Sequence, residues 1–252
     1  MHLTMSLLLG VNIDHVATLR QARYAGALDL PHAEPNPLEA GHDAHAGGAD
    51  SLTLHVRGDR RHMQDADAFR VRSEIPLPLN FEMGVTEEMV RIALALKPDF
   101  ACLVPESRME ITTEGGLDVL NGLDPIRIVV ARLQDAGIKV SLFVDPDLRH
   151  IDAAVKSRAD MIELHTGAFA NAQGDAVESE LARLITAAIA GHAAGLQVNA
   201  GHGIHYTNLS QILTVPHLTE LNIGHSIVSR AIRVGMTAAV REMKDFMAPY
   251  SG

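Results

Sequence analysis

LLLGVNIDH (residues 7–15) is a short apolar run that stops abruptly on an acid and an imidazole. The arrangement returns seven more times, in SLTLHVR (51–57), LPLNFEM (77–83), FACLVPE (100–106), KVSLFVD (139–145), MIELHTG (161–167), LQVNAGHG (196–203) and TELNIGH (219–225). Continuous apolar runs mark strands buried on both faces. Amphipathic stretches separate most of them. Eight such strands alternating with helices in 252 residues have the size and rhythm of an α/β fold of one kind, a (β/α)8 TIM barrel with extra short helices, formed as one domain over 1–252. In that architecture the C-terminal strand ends carry the chemistry. Here they carry Asp14, His15, His55, Arg57, Glu82, Glu106, Asp145, Glu163, His165, His202 and His225.

Composition excludes several classes. With 47% hydrophobic and 21% charged residues, a large core can be buried. No apolar stretch approaches the ~20 residues of a membrane span. The start, MHLTMSLLLG, lacks the basic region and long apolar region of a signal peptide. Cys102 is the only cysteine, so no disulfide forms within the chain, which fits a reducing cytoplasm. Set inside a strand, it behaves as a small hydrophobe rather than a nucleophile. A net charge of −10 argues against nucleic-acid binding, and the absence of Trp leaves little for a base-stacking platform. A local basic cluster still permits anionic small-molecule substrates.

Residues 24–38 (YAGALDLPHAEPNPL) read as a long loop, either a lid or a tolerated surface insertion. Thr86 caps a helix bearing Met89, Ile92, Ala93 and Leu96 on one face and stopped by Pro98. Asp124-Pro125 opens another, with Gly137 beyond its end. Residues 147–157 and 178–194 are amphipathic, and a final helical stretch near 226–247 closes the ring, in the core or at an interface. The longer gaps after strands one, four and six predict extra short helices.

The clusters suggest a chemistry. Asp14 suits a substrate hydroxyl. Arg20 and Arg23, in the loop that follows, either meet a phosphate bidentately or stay solvated. His55 and Arg57 share one side of strand two, a costly ending unless both have partners. Of Arg60, Arg61 and His62, two are expected to be ordinary surface groups. Glu82 stands alone at a strand end, either tuned for proton transfer by low dielectric or bridged to an arginine. Glu106, Arg108 and Glu110 suggest a structural network, and TTEGG (112–116) a backbone contact to ligand. Glu163 points inward, where it can stabilise positive charge such as an iminium. NAGHG and NIGH end strands seven and eight, where barrels commonly bind phosphate through backbone N–H groups. The four lysines (Lys97, Lys139, Lys156 and Lys244) avoid the strand C-termini, which disfavours a lysine Schiff-base aldolase. If an imine forms, its amine comes from a substrate.

Taken in order, NIDHVATLRQAR, TLHVRGDRRH, LNFEM, CLVPESR, TTEGGLDV, VSLFVD, IELHTG, VNAGHG and ELNIGH resemble the pyridoxine 5′-phosphate synthase family, from about Leu7 to Lys244. The resemblance implies a (β/α)8 barrel with extra helices, self-associated as a homooctamer. It implies condensation of 3-amino-2-oxopropyl phosphate with 1-deoxy-D-xylulose 5-phosphate to pyridoxine 5′-phosphate, phosphate and water, with no metal and no organic cofactor. It carries acid–base roles onto His55, Glu82 and His202, and a charge-stabilising role onto Glu163. Contacts to the aminoketone phosphate fall on Asn12, Arg23, Gly203, Gly224 and His225. Contacts to the pentulose phosphate fall on Asp14, His15, Arg57, His62 and Thr112. Two features depart from the family pattern: Gly58 replaces a commonly acidic residue, and the 24–38 loop is longer. The alternatives are a metal-dependent barrel hydrolase or lyase, suggested by fourteen histidines but lacking an H-x-H ligand pair at strand one, and a non-catalytic sugar-phosphate binder.

Overall fold

Strand β1 (Leu8–Asn12) pairs in parallel with β2 (Ser51–His55) on one edge and with β8 (Leu218–Ile223) on the other, so the sheet closes on itself. Around the ring between them run β3 (Leu79–Met83), β4 (Phe100–Leu103), β5 (Lys139–Val144), β6 (Met161–His165) and β7 (Gln197–Gly201), each beside its neighbours in sequence. The computed structural model describes residues 6–28, 30, 32–106 and 115–252. All eight apolar runs become strands of a closed (β/α)8 barrel.

Outside the ring lie α1 (Asp14–Tyr24), α2 (Pro37–Gly47), α3 (Asp65–Glu74), α4 (Glu87–Leu96), α5 (Leu123–Asp135), α6 (Leu148–Ser157), α7 (Gly167–Asn171), α8 (Asp175–Ala193), α9 (Leu209–Ile212), α10 (His225–Val234) and α11 (Met236–Met247). Local chemistry sets their ends. Thr86 accepts the Met89 N–H at the start of α4, and Lys97, in the left-handed region, ends it one residue before Pro98. Asp147 caps α6 through the Arg149 N–H. The gaps after β1 and β6 each hold two helices, as their length predicts. The gap after β4 contains residues 107–114, which lie outside the described residues, and with them Arg108, Glu110 and Thr112.

Three expectations change. Asp14 and His15 form the first turn of α1 rather than the tip of a strand, so Arg20 and Arg23 are helical, not in a loop. Residues 24–38 are not all loop, because Asn36 caps α2 and Pro37 begins it. The closing helix is two helices broken at Gly235, whose φ of 83° an L side chain seldom adopts.

The strands also differ from a doubly apolar reading. Leu52 and Leu54, Phe81 and Met83, Leu142 and Val144, and Ile162 and Leu164 pack outward into the main apolar core. The alternate positions, Ser51, Thr53, Asn80, Ser141, Glu163, Asn199, Glu220 and Asn222, are buried polar residues. Two pairs join over a sequence separation of 169 residues, Ser51 to Glu220 at 2.9 Å and Thr53 to Asn222 at 2.9 Å. The apolar layer therefore sits between sheet and helices, and the barrel axis is polar.

Arg20 is only 5% exposed and grips Asp67 with two bonds of 2.8 and 2.6 Å, pinning α1 to α3. This is a structural role, not phosphate binding. Because removing one partner strands the other in low dielectric, Arg20→Met is expected to cost roughly 3 kcal/mol of unfolding free energy in urea titrations. A loss under about 0.5 kcal/mol would reduce the pair to an ordinary surface bridge.

Candidate active site

The C-terminal strand ends enclose a cavity of about 570 Å³. Its wall contains Asn12, Asp14, His15, His55, Arg57, His62, Glu82, Glu163, His202, Gly203, Gly224 and His225, so all the candidate residues but two converge there. Thr112 lies outside the described residues. Arg23 is the one the structure does not bring in: it sits on the exposed side of α1, in a separate groove with Tyr24, Glu39 and Ile232. It lies more than two helical turns beyond Asp14, which starts α1 at the rim.

Asp14 is the hub of the β1–β2 corner. Its carboxylate accepts the Asn12 amide at 2.8 Å and the His55 backbone N–H at 2.8 Å. Burial raises its pKa to about 6, against the lowering pull of His55 and these bonds. His55 ends β2 between two carboxylates. Its Nε2 meets Glu106 Oε1 at 2.8 Å, and its Nδ1 lies 3.8 Å from Glu82 Oε2. Glu106 is a residue that the sequence reading assigned to a structural network. Burial pushes its pKa up, but the bond to His55, that imidazole's charge, the Gly58 N–H and Arg57 outweigh this and leave it below the usual carboxylate range. Glu82 goes the other way: burial, then the charges of Asp14 and Glu163, raise it well above its ordinary value. The pair thus divides into an acceptor and a proton holder.

Next to His55, Arg57 and His62 complete the corner. Burial, then His55 and Arg57, depress His62 to about 3, so it is neutral, and its Nδ1 accepts the Met63 N–H. Arg60 and Arg61 do not join it: Arg60 binds Asp65 and Glu88, and Arg61 binds Asp59. Among the described residues Arg57 makes no salt bridge.

On the opposite arc, His202 follows β7 with φ 70°, and the Thr166 hydroxyl holds that turn through the carbonyls of Gly201 (3.0 Å) and His202 (2.5 Å). Burial, then His165 and His15, lower His202 to about 4. His15 Nδ1 and His225 Nδ1 lie at hydrogen-bond distance, 2.8 Å. Gly224 and His225 open α10, which turns backbone N–H groups toward the cavity. His165 is buried against Phe143 and His202, its Nδ1 on Asp145 at 3.1 Å. The Gly116 N–H, part of the TTEGG segment, also goes to Asp145.

Glu163 lies deepest. Burial raises it to about 7, offset by the Asn222 amide at 2.6 Å and reinforced by the charge of Glu220. Cys102 faces it at 4.0 Å, and burial followed by the charges of Glu163 and Glu82 keeps that thiol protonated. No lysine among the described residues lines the cavity. Among the described residues no three of His, Cys, Asp and Glu are grouped to hold a metal ion. Among the described residues, too, no helix is long and apolar enough to cross a membrane. Asn222 and Phe143 escaped the sequence reading, which placed Asp145 and His165 at strand ends without their pairing; of the two missed residues only the Asn of NIGH gave a signal.

The model of the family described as "Pyridoxal phosphate biosynthesis protein PdxJ" matches residues 9–249. The chain is 62% identical over 239 residues to a pyridoxine 5′-phosphate synthase of Akkermansia muciniphila, covering 94% of this chain and 97% of that one. It is 52% identical over 247 residues to a pyridoxine 5′-phosphate synthase of Opitutus terrae, covering 96% and 100%. Among solved structures, a phosphoribosylanthranilate isomerase of Thermotoga maritima superposes with a TM-score of 0.56 at 12% identity, covering 94% of this chain and 99% of that one, which is a likeness of fold.

The raised Glu163 has a thermodynamic consequence. An acid held near 7 instead of its ordinary 4.5 favours the folded state while protonated, and this contribution is lost as pH rises through about 7. Relative to Glu163→Gln, the native chain is expected to lose roughly 3 kcal/mol between pH 4.5 and 8 in urea titrations. The comparison cancels the histidines, whose lowered values act in the opposite sense. A difference between the two proteins that does not vary with pH would contradict the assignment.

Proposed function

The chain belongs to the family of the pyridoxal phosphate biosynthesis protein PdxJ, and from that premise we infer how its barrel mouth works as an enzyme. The reaction condenses 3-amino-2-oxopropyl phosphate with 1-deoxy-D-xylulose 5-phosphate to pyridoxine 5′-phosphate, inorganic phosphate and water. The observation that carries the reading is convergence: His55, Glu82, Glu163 and His202, from four separate strand ends, face one cavity.

The substrate amine attacks the pentulose ketone and water leaves, giving an imine. The absence of lysine among the described residues of the cavity wall fits an amine supplied by substrate. Protonated Glu82 and neutral His202, together with His55, then move protons through enamine formation, phosphate loss and ring closure with departure of a second water. Glu106, ionised, accepts from His55 Nε2, which holds the ring with its Nδ1 toward Glu82, in line for proton exchange between them. Glu163 offsets the positive charge of the imine nitrogen from below. Arg57 and the neighbouring His62 receive the pentulose phosphate and stabilise it as it departs. Gly203, Gly224 and His225 cradle the phosphate that is retained. Anchoring both reactants by their phosphates makes ring closure effectively unimolecular.

Self-association belongs to the same proposal. Leu19 and Ile232, 50% and 73% exposed, flank the groove between α1 and α10, and burying them supports the octamer expected of the family. A cytoplasmic location is proposed on the single, buried cysteine.

Incubating the chain with both phosphates is expected to produce a pyridine chromophore in step with inorganic phosphate; phosphate release without the chromophore would refute the reaction. Glu82→Gln is expected to keep its circular dichroism spectrum and lose about 100-fold or more in kcat. Near-native rates would remove Glu82 from proton transfer. Arg57→Ala is expected to weaken pentulose phosphate binding about 10- to 100-fold in calorimetry, the worth of a charged hydrogen bond. An unchanged Kd would contradict its place at that phosphate.

A further inference from the structure

Thr53 stands in the middle of β2, fully buried and outside the cavity wall. Its hydroxyl donates to Asn222 Oδ1 at 2.9 Å, and Asn222 Nδ2 donates to Glu163 Oε2 at 2.6 Å. Asn80 Nδ2 donates to the Thr53 hydroxyl at 3.3 Å. The chain therefore runs one way across the barrel axis, from β3 through β2 and β8 to β6. Its direction is chemically forced. An ionised carboxylate only accepts, so Asn222 must offer Glu163 its NH₂ and turn its carbonyl to Thr53. A neutral Glu163 would accept either face of the amide. Thr53, a donor aimed at Oδ1, decides between them. The backbone keeps this space open: a Cβ at Gly10 would overlap Asn222 Oδ1, and a Cβ at Gly201 would overlap Glu163 Oε1.

We propose that Thr53 is a positioning residue for the condensation: through Asn222 it locks an amide donor onto Glu163 and holds that carboxylate ionised and aimed at the imine nitrogen. The proposal rests on the charge-stabilising role given to Glu163 above. The titratable groups facing Glu163 are Glu82 from β3, Cys102 from β4 and Glu220 from β8, with His165 two residues further along β6. Among the described residues β5 and β7 place no titratable side chain at that level, only Ser141, Phe143, Asn199 and Gly201. Glu82 and Glu220 both disfavour a charge on Glu163, and the Asn222 donor opposes them.

The test compares the native chain with Thr53→Val, Thr53→Ser and Glu163→Gln, measuring kcat, both KM values and the pH profile of kcat from pH 5.5 to 9. Activity that needs ionised Glu163 rises with pH through its titration. Removing the hydroxyl in Thr53→Val is expected to move that limb up by about one pH unit, leaving roughly a fifth of native kcat at pH 7, with both KM values within about two-fold. Thr53→Ser keeps the hydroxyl and is expected to restore the native limb. The position of a limb does not depend on how much protein folds, so a destabilised Thr53→Val is still informative. An unmoved limb in Thr53→Val, or a Thr53→Ser limb displaced as far as Thr53→Val, overturns the role of the hydroxyl. Native turnover in Glu163→Gln would instead remove the role of Glu163, and the proposal with it.

Discussion

Closure of the sheet through the β1–β8 ladder is the constraint from which the rest follows. A parallel ring has no open edge, so every second residue of every strand is taken out of water whether or not it is apolar. This chain fills that space with Ser51, Thr53, Asn80, Ser141, Glu163, Asn199, Glu220 and Asn222. Such a lining is tolerable only where polar groups find each other. Many do so across strands far apart in sequence, as Ser51 and Glu220 do. Stability comes from the outer layer instead, where the outward side chains of the strands meet the helices.

The same closure sets the chemistry. Burial is the largest influence on Asp14, Glu82 and Glu163, and it raises all three, while it lowers His62 and His202. Near neutral pH the mouth thus holds in Glu82 a carboxyl group ready to give a proton and in His202 an imidazole ready to take one. Glu106 is the exception that sharpens the rule: its direct bond to His55 outweighs its burial. Proton donors and acceptors are sorted by neighbours rather than by residue type.

How much of this is legible in the sequence differs by level. The strands were legible because each ends in a polar cluster, α4 because Thr86 caps it, and α6 because residues 147–157 are amphipathic. The start of α1 was hidden: its N-cap is Ile13, with no capping side chain, so NIDH reads as strand. The Gly235 break was hidden because the apolar rhythm of α10 and α11 continues across it. The site residues were legible individually, since strand ends are where barrel chemistry sits. Their partnerships were not. Glu106 on His55 and Asn222 on Glu163 are contacts over 51 and 59 residues, set by barrel register alone. Arg20 shows the converse. Two arginines spaced three apart in one motif look equivalent, yet helical geometry turns Arg20 inward onto Asp67 and leaves Arg23 on the exposed side.

Asp14 links the two levels most directly. Beyond the last paired residues of β1 and β2, the Ile13 N–H still reaches the Thr53 carbonyl, and the Asp14 carboxylate takes the next N–H in line, that of His55. A side chain thereby extends the ladder by one step at the point where the strand turns into α1. That step fixes the backbone of the residue whose ring faces Glu82 and Glu106. It also charges a cost, because a carboxylate buried to serve a backbone must be held against desolvation, and its pKa near 6 is the sign of it. The β1–β2 corner is therefore one unit in which register, the aim of His55 and the raised acidity range of its neighbours vary together. The Thr53 hydroxyl, one carbonyl away from the same corner, feeds the chain to Glu163. A shift of β2 by a single residue would turn Ser51, Thr53 and His55 outward together. The alternation that packs Leu52 and Leu54 against the helices is thus the feature that keeps the base, and the support beneath the deep carboxylate, inside the barrel.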